Sequence, residues 1–220
     1  MKLADYIPFY KRNLYLAFPV VLSQIGQVLV QLVDNMMVGH VGTIELAASA
    51  FIIGIFFGMG ITYGITPLVG KAFGNNKPEQ VVTWLKNGVL THMIAALFLS
   101  VLMFGAYFLL PYLGQTENVL EASKPYYLLL CGSYLPFMLF FSLKQFFEGI
   151  GNTKIAMQIT LTANLVNILL NYVLIFGKFG FPELGLVGAG IGTLVSRFVM
   201  PLMFVFYIIK LPRFRNYFSL

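Results

Sequence analysis

A single carboxylate follows a long apolar stretch near the amino terminus. Residues 13–33 carry no formal charge, and Asp34 comes directly after them. An ionisable side chain near the centre of a membrane helix costs about 2.5–3.5 kcal/mol on insertion scales. Twelve Leu, Ile, Val or Phe residues between positions 14 and 33 offset that cost. We interpret Asp34 as a proton or cation site; the alternative is an acid at the helix end that meets water.

Polar side chains follow one face of each of two predicted helices. The first face has spacings of three, four and three residues, and the second has four, three and four, so each set lies on one side of a helix. The two sets are Gln24, Gln27, Gln31 and Asp34, and Thr160, Asn164, Asn167 and Asn171. Amides in apolar helices are costly unless they face protein or water, which favours a shared internal cavity. Hydrogen bonding that only joins helices, worth about 0.6–2 kcal/mol per bond, is the alternative.

The composition indicates an integral membrane protein. The chain is 59% hydrophobic and 10% charged, whereas soluble domains average about 25% charged residues. A net charge of +6 would suggest nucleic acid as a partner of a soluble protein, but here it is attributed to membrane topology. We therefore expect the lipid bilayer, and no nucleic acid, among the partners.

Charged residues divide the sequence into segments of membrane length. Since a spanning helix needs about 20 apolar residues, six spans are predicted. The predicted fold class is an all-α integral membrane protein, a six-helix bundle forming one domain over residues 1–220. The predicted spans lie roughly at 14–38, 46–70, 86–110, 124–144, 154–177 and 186–210.

The distribution of basic residues predicts the orientation of the spans. Eleven Lys and Arg residues fall on one side of them, and only Lys124 and Lys178 fall on the other. Because cytoplasmic loops carry the excess of Lys and Arg, both termini are predicted to be cytoplasmic. The expected location is the cytoplasmic membrane, crossed several times.

The helical rise brings four oxygen-bearing side chains to a similar depth. Asp34 lies about 30 Å from the inner end of the first span, and Asn167 and Asn171 lie about 20–26 Å along the fifth. Thr193 lies about 10 Å below the outer end of the sixth span. Because oxygen ligands suit hard cations, these four residues are predicted to hold a proton or a cation. Five further polar residues are predicted to line the cavity: Gln24, Gln27, Gln31, Thr160 and Asn164.

Two other features have open interpretations. Aromatic side chains suit promiscuous binding surfaces, so those of the second and fourth spans are candidates for an apolar drug pocket. They are Phe56, Phe57, Tyr63, Phe137 and Phe141. Arg197 lies inside the sixth span, where it pairs within the bundle, snorkels towards water, or contacts a substrate.

No enzyme motif is evident in the sequence. The glycine-rich run at 188–192 opens a membrane helix rather than following a strand, which argues against a nucleotide site. Neither a zinc-type Cys/His cluster nor a paired nucleophile and base is found. We therefore expect a protein that is not an enzyme, with no cofactor and no metal beyond Na⁺ near Asp34.

Five segments of the sequence resemble the multidrug and toxic compound extrusion family, known as MATE transporters. The segments are Pro19 with 33–42, then 66–74, 147–154, 171–177 and 185–193. Their order and spacing fit the six predicted helices, so the resemblance covers almost the whole chain.

The resemblance implies an antiporter that exports drugs and organic cations in exchange for H⁺ or Na⁺. The family's acid on the first helix matches Asp34, and its polar partners match Asn167, Asn171 and Thr193. One branch of the family has an acid where this chain has Asn171. The amide is more similar to the NorM-type branch and leaves Asp34 as the sole titrating group of the set.

The family has twelve helices in two lobes, and this chain resembles the amino-terminal lobe of six. The implied partner is therefore a missing second lobe or a second copy of the chain. A lipid-linked oligosaccharide flippase of the same superfamily is an alternative, although it would need several Arg or Lys residues in a large cavity. A non-transporting membrane assembly subunit is the alternative from another class.

Overall fold

The computed structural model describes residues 7–55, 59–215 and 217. Within these ranges the regular structure is helical and contains no β-strand, so the predicted all-α fold class is confirmed. The α-helices are α1 (Ile7–Val41), α2 (Thr43–Ile55), α3 (Ile65–Gly74), α4 (Pro78–Ala106), α5 (Glu117–Gly149), α6 (Thr153–Ile175), α7 (Gly185–Lys210) and α8 (Pro212–Arg215). Short 3-10 helices are formed by Met59–Gly64, Tyr107–Tyr112 and Lys178–Gly180.

Five of the described helices, α1, α4, α5, α6 and α7, are long and apolar enough to cross a membrane. They correspond to the first, third, fourth, fifth and sixth predicted spans. Three begin well before the predicted residue: α5, for example, covers Glu117–Gly149 rather than 124–144. Charged side chains near a helix end reach water through their flexible stems, so charges do not mark where a helix stops.

The second predicted span, 46–70, is not a single α-helix. Helix α2 ends at Ile55, and a 3-10 helix at Met59–Gly64 leads into α3. Four glycines lie between positions 54 and 64, and each disfavours an α-helix by about 1 kcal/mol relative to alanine. Phe56 and Phe57, two of the candidate pocket aromatics, lie outside the described residues.

Helix α5 is the central element of the bundle. It packs against α7, α4, α2 and α3, while α1 packs against α6 and α6 against α7. One hydrophobic cluster surrounds the carboxyl-terminal half of α5 and includes Phe140, Phe147 and Phe204. A second surrounds its amino-terminal half and includes Tyr127 and Leu130. The arrangement leaves α1, α5, α6 and α7 facing one another.

Glycine 188 sets the distance between α6 and α7. A Cβ atom at this position would lie 2.6 Å from the carbonyl oxygen of Leu174 and 2.9 Å from the backbone nitrogen of Ile175. Leu184, one turn earlier, donates its N–H to the same carbonyl of Leu174 at 3.0 Å. The two backbones therefore touch directly, which places the polar face of α6 beside α7.

We expect Gly188→Ala to destabilise the bundle by about 1–3 kcal/mol, the range for overpacking. The added methyl group meets backbone atoms, which cannot rotate away as a side chain would. Thermal unfolding in detergent, followed by circular dichroism, measures the effect. Gly105→Ala is the matched control, because a Cβ there has no neighbour within 4 Å. Equal midpoints for the two variants would contradict a required backbone contact at Gly188.

Candidate functional site

A cavity of about 300 Å³ lies where α1, α5, α6 and α7 face one another. Small-molecule sites start at about this size. Its wall combines an acid, a base, amides and hydroxyl groups with apolar and aromatic side chains. The charged and amide side chains in the wall are Gln27, Gln31, Asp34, Asn35, Asn164, Asn167 and Arg197.

Asp34 is held by an amide from the neighbouring helix. Asn171 on α6 donates its Nδ2 to Asp34 Oδ1 on α1 at 2.7 Å. Asn171 is fully buried, so it lies behind the cavity wall while the carboxylate it holds lies in the wall. The carboxylate is therefore exposed to a ligand on one side and fixed from the other.

The side-chain amide of Asn167 has two orientations, and each suits a different charge state of Asp34. In one, its oxygen accepts from Asn171 Nδ2 at 3.3 Å and its nitrogen is 3.5 Å from Thr193 Oγ1. In the other, its nitrogen donates to both carboxylate oxygens of Asp34 at 3.2 Å. Since an ionised carboxylate only accepts hydrogen bonds, the second orientation suits ionised Asp34. The first directs the Asn167 oxygen at Asp34, which suits a proton or cation held between them.

The four predicted cation-site residues are together in the structure. We call Asp34, Asn167, Asn171 and Thr193 the oxygen cluster. Asn171 Oδ1 is buried and has no hydrogen-bond partner among the described residues. Leaving such an atom unpaired costs about 1–3 kcal/mol. Asn171 turns its Nδ2 to Asp34, whereas its Oδ1 lies against Gly192. The oxygens open to an ion are therefore those of Asp34, Asn167 and Thr193. Carboxylate, amide and hydroxyl oxygens suit a hard cation, so these groups fit Na⁺ as well as a proton.

Arg197 lies in the cavity wall and does not snorkel to a helix end. Its Nη1 donates to Ser133 Oγ on α5 at 2.7 Å. Its guanidinium carbon is 4.1 Å from the centre of the Phe137 ring, a cation–π contact. Pairing inside the bundle is therefore the observed arrangement, and it keeps a positive charge in the wall that also contains Asp34.

Two residues predicted to line the cavity are not in its wall. Gln24 lies outside the described wall residues, and the hydroxyl of Thr160 donates to the carbonyl oxygen of Ala156 in its own helix at 2.8 Å. Helical spacing predicts a shared face but not how far along the helix a cavity extends. Of the candidate aromatics, Phe137 and Phe141 are in the wall, whereas Tyr63 is half exposed.

The sequence reasoning missed two tyrosines of the cavity wall, both on α5. They belong to a helical face with spacings of four, four, three and four residues: Tyr126, Leu130, Tyr134, Phe137 and Phe141. That periodicity is visible in the sequence. It was missed because a mixed aromatic and aliphatic face looks like ordinary core packing.

Long apolar helices around a small polar cavity define a multi-pass membrane protein with an internal binding site. The described residues contain no group of three or more His, Cys, Asp or Glu side chains that could hold a metal ion. The cavity wall offers a carboxylate, a guanidinium group and amides to a ligand.

The family model MatE matches residues 19–173. A probable multidrug resistance protein NorM from Photorhabdus laumondii is 32% identical, over 94% of this chain and 47% of the relative. The multidrug resistance protein NorM of Vibrio cholerae is 29% identical, over 90% of this chain and 44% of the relative. The multidrug resistance protein MdtK of Yersinia pestis is 31% identical, over 93% of this chain and 46% of the relative.

Solved structures share the fold. An outward-facing multidrug resistance MATE family transporter superposes with a TM-score of 0.83 at 22% identity, over 92% of this chain and 45% of that one. The eukaryotic MATE transporter AtDTX14 superposes with a TM-score of 0.81 at 22% identity, over 93% of this chain and 46% of that one.

The chain belongs to the MatE family, and the family resemblance seen in the sequence is confirmed. The relatives are transporters rather than enzymes, in agreement with the expectation that this chain is not an enzyme. The chain spans about half the length of the curated relatives that it matches.

We expect Asn171→Leu to destabilise the protein by about 1.5–3 kcal/mol, because it removes a hydrogen bond to a charged group. Asn164→Leu is the matched control on the same helix. Its Nδ2 is buried without a partner among the described residues, so its removal should be close to neutral. Thermal unfolding in detergent compares the two variants, and a control that unfolds as early as Asn171→Leu would contradict a special role for the Asp34 contact.

Proposed function

We propose that the chain is the amino-terminal lobe of a cation-coupled antiporter that exports drugs and organic cations across the cytoplasmic membrane. The observation that carries the proposal is the carboxylate of Asp34, held by Asn171 in the wall of an internal cavity. The names of the relatives, which are multidrug resistance proteins, support drugs as the substrate class.

Substrate and coupling ion would compete for Asp34. When ionised, its carboxylate attracts an organic cation, while Phe137 and Phe141 offer aromatic faces to the rest of that molecule. A proton or Na⁺ entering the oxygen cluster cancels the charge and removes this attraction. The side-chain amide of Asn167 would rotate between its two orientations when the charge of Asp34 changes. Each orientation suits one charge state of the Asp34 carboxylate.

The membrane potential would drive exchange through the same charge. Moving one elementary charge across 100 mV supplies about 2.3 kcal/mol. The oxygen cluster can serve either H⁺ or Na⁺, since both bind to carboxylate and amide oxygens. Gradients of each ion, imposed separately on vesicles, distinguish the two coupling modes.

We propose that this lobe works with a second lobe. A fragment of a longer transporter is the preferred arrangement, because the matched relatives are about twice as long as this chain. Two copies of the chain, inserted in the same orientation and related by a two-fold axis, are the alternative. The coding sequence downstream of Leu220 distinguishes these arrangements.

A flippase for lipid-linked oligosaccharides is less well supported by the cavity. Such a substrate carries a pyrophosphate, which needs several basic side chains. Arg197 is the single Lys or Arg among the described residues of the cavity wall. One cation opposite one carboxylate fits a smaller substrate of modest charge.

Both termini are proposed to be cytoplasmic. The excess of basic residues on one side of the spans supports this orientation. The bundle geometry is compatible, because Lys154 at the start of α6 lies 4.8 Å from the ring of Tyr15 near the start of α1. The first and fifth spans therefore begin on the same side.

We expect Asp34→Asn to reduce drug efflux to background, because an amide can neither attract an organic cation by charge nor take up a proton. Ethidium uptake into everted vesicles, carrying the protein in its complete coding context, measures the effect, since export from the cytoplasm is uptake into an inside-out vesicle. Glu121→Gln is the control, because Glu121 is exposed on α5 and is not among the described residues of the cavity wall. Efflux by Asp34→Asn at the parental rate would remove Asp34 from the mechanism.

Reporter fusions test the orientation. We expect alkaline phosphatase to be inactive when fused after Leu220 and active when inserted at Gly114, in the loop between α4 and α5. This enzyme needs an oxidising compartment to form its disulfides, so its activity marks the outer side. The opposite pattern would show that the lobe is inverted.

A further inference from the structure

Groups of opposite charge lie in the same cavity. Asp34 on α1 and Arg197 on α7 both form part of its wall. An ionised Asp34 therefore leaves the wall close to neutral overall, whereas a neutralised Asp34 leaves it with one positive charge. The sign of the ligand that the cavity favours should depend on Asp34.

Arg197 is positioned as a binding group rather than as a loose surface charge. Ser133 fixes one end of its guanidinium group and the Phe137 ring supports its face. A guanidinium group stays charged across the physiological range and matches the geometry of carboxylate, sulfonate and phosphate groups. The aromatic rings of Phe137, Phe141 and Tyr134 in the same wall suit a flat, apolar body attached to such a group.

No other charged group among the described wall residues changes the net charge of the cavity. Around Asp34, α5 contributes the phenols of Tyr126 and Tyr134, which are neutral at physiological pH. From the described wall, α6 contributes the amides Asn164 and Asn167, and α2 contributes the hydroxyl of Ser49. Among the described residues of this wall, Asp34 and Arg197 are the groups whose charges determine whether a cation or an anion is favoured.

We propose that Arg197 forms an anion-binding subsite of the cavity and that the charge of Asp34 opposes binding there. Its ligand class is an aromatic organic anion, such as a sulfonate or carboxylate, or the anionic end of a zwitterion. Removing the charge of Asp34 by substitution should therefore favour organic anions over organic cations. The inference rests on the proposed function only in taking Asp34 as the group that attracts organic cations.

Equilibrium binding of two probes to the purified chain in lipid nanodiscs tests the proposal. 2-Naphthalenesulfonate and 2-naphthyltrimethylammonium share a ring system and carry permanent charges of opposite sign. At one fixed pH of about 7, we expect Asp34→Asn to bind the sulfonate about tenfold or more tightly than the parent protein does, and to bind the ammonium probe more weakly.

Three variants test which residues are responsible for binding of the two probes. Arg197→Met should lose sulfonate binding and keep ammonium binding, while Arg197→Lys should retain part of the sulfonate binding because it keeps the charge. Asp34→Asn should gain sulfonate binding and lose ammonium binding. The Asp34 variant keeps the test decisive if Arg197→Met does not fold.

The outcomes separate this inference from the proposed function. If ammonium binding depends on Asp34 while sulfonate does not bind, or binds equally to Arg197→Met, the anion subsite is overturned and the antiporter proposal stands. Sulfonate binding that requires Arg197 but is unchanged by Asp34→Asn overturns the opposing effect of Asp34. Ammonium binding unaffected by Asp34→Asn contradicts the antiporter proposal instead, whatever the sulfonate result.

Discussion

The geometry of the cavity depends on one polar contact between two apolar helices. Asn171 on α6 donates to Asp34 on α1, and the donor is fully buried. The opposite side of α1 exposes apolar side chains, among them Ile25 and Leu29, which lipid would solvate as well as protein does. Because apolar surface gives little preference for one helix over another in a bilayer, hydrogen bonds and close packing decide how α1 sits against α6.

Close packing supplies the second constraint. Gly188 brings the backbone of α7 onto that of α6, and Gly192, one turn later, lies against Asn171 Oδ1. A larger residue at either glycine would move the helices apart or displace the amide. These two glycines allow the helices to touch. They thereby also place Thr193 and Arg197 opposite Asp34, so the same close packing determines the geometry of the site.

Local periodicity explains how much of the site could be predicted. The spacing along α1 and α6 correctly places Asp34 and Asn167 on inward faces, because helical periodicity is a property of neighbouring residues. The same rule fails for Gln24 and Thr160, since the extent of the cavity along a helix is set by the helices across from it. The interrupted second span was missed because it was predicted from the length of an uncharged apolar segment, which takes no account of the four glycines that disfavour an α-helix there.

The amino-acid sequence by itself determined the membrane class, five of the spanning helices, the polar faces and the family. These follow from composition and from interactions between residues close in the chain. Tertiary structure alone decided that Asn171 binds Asp34 from behind the wall, that Arg197 enters the same cavity through Ser133 and Phe137, and which amides remain unpaired. Those contacts join residues far apart in sequence, and only the packing of backbone against backbone sets the distances between them.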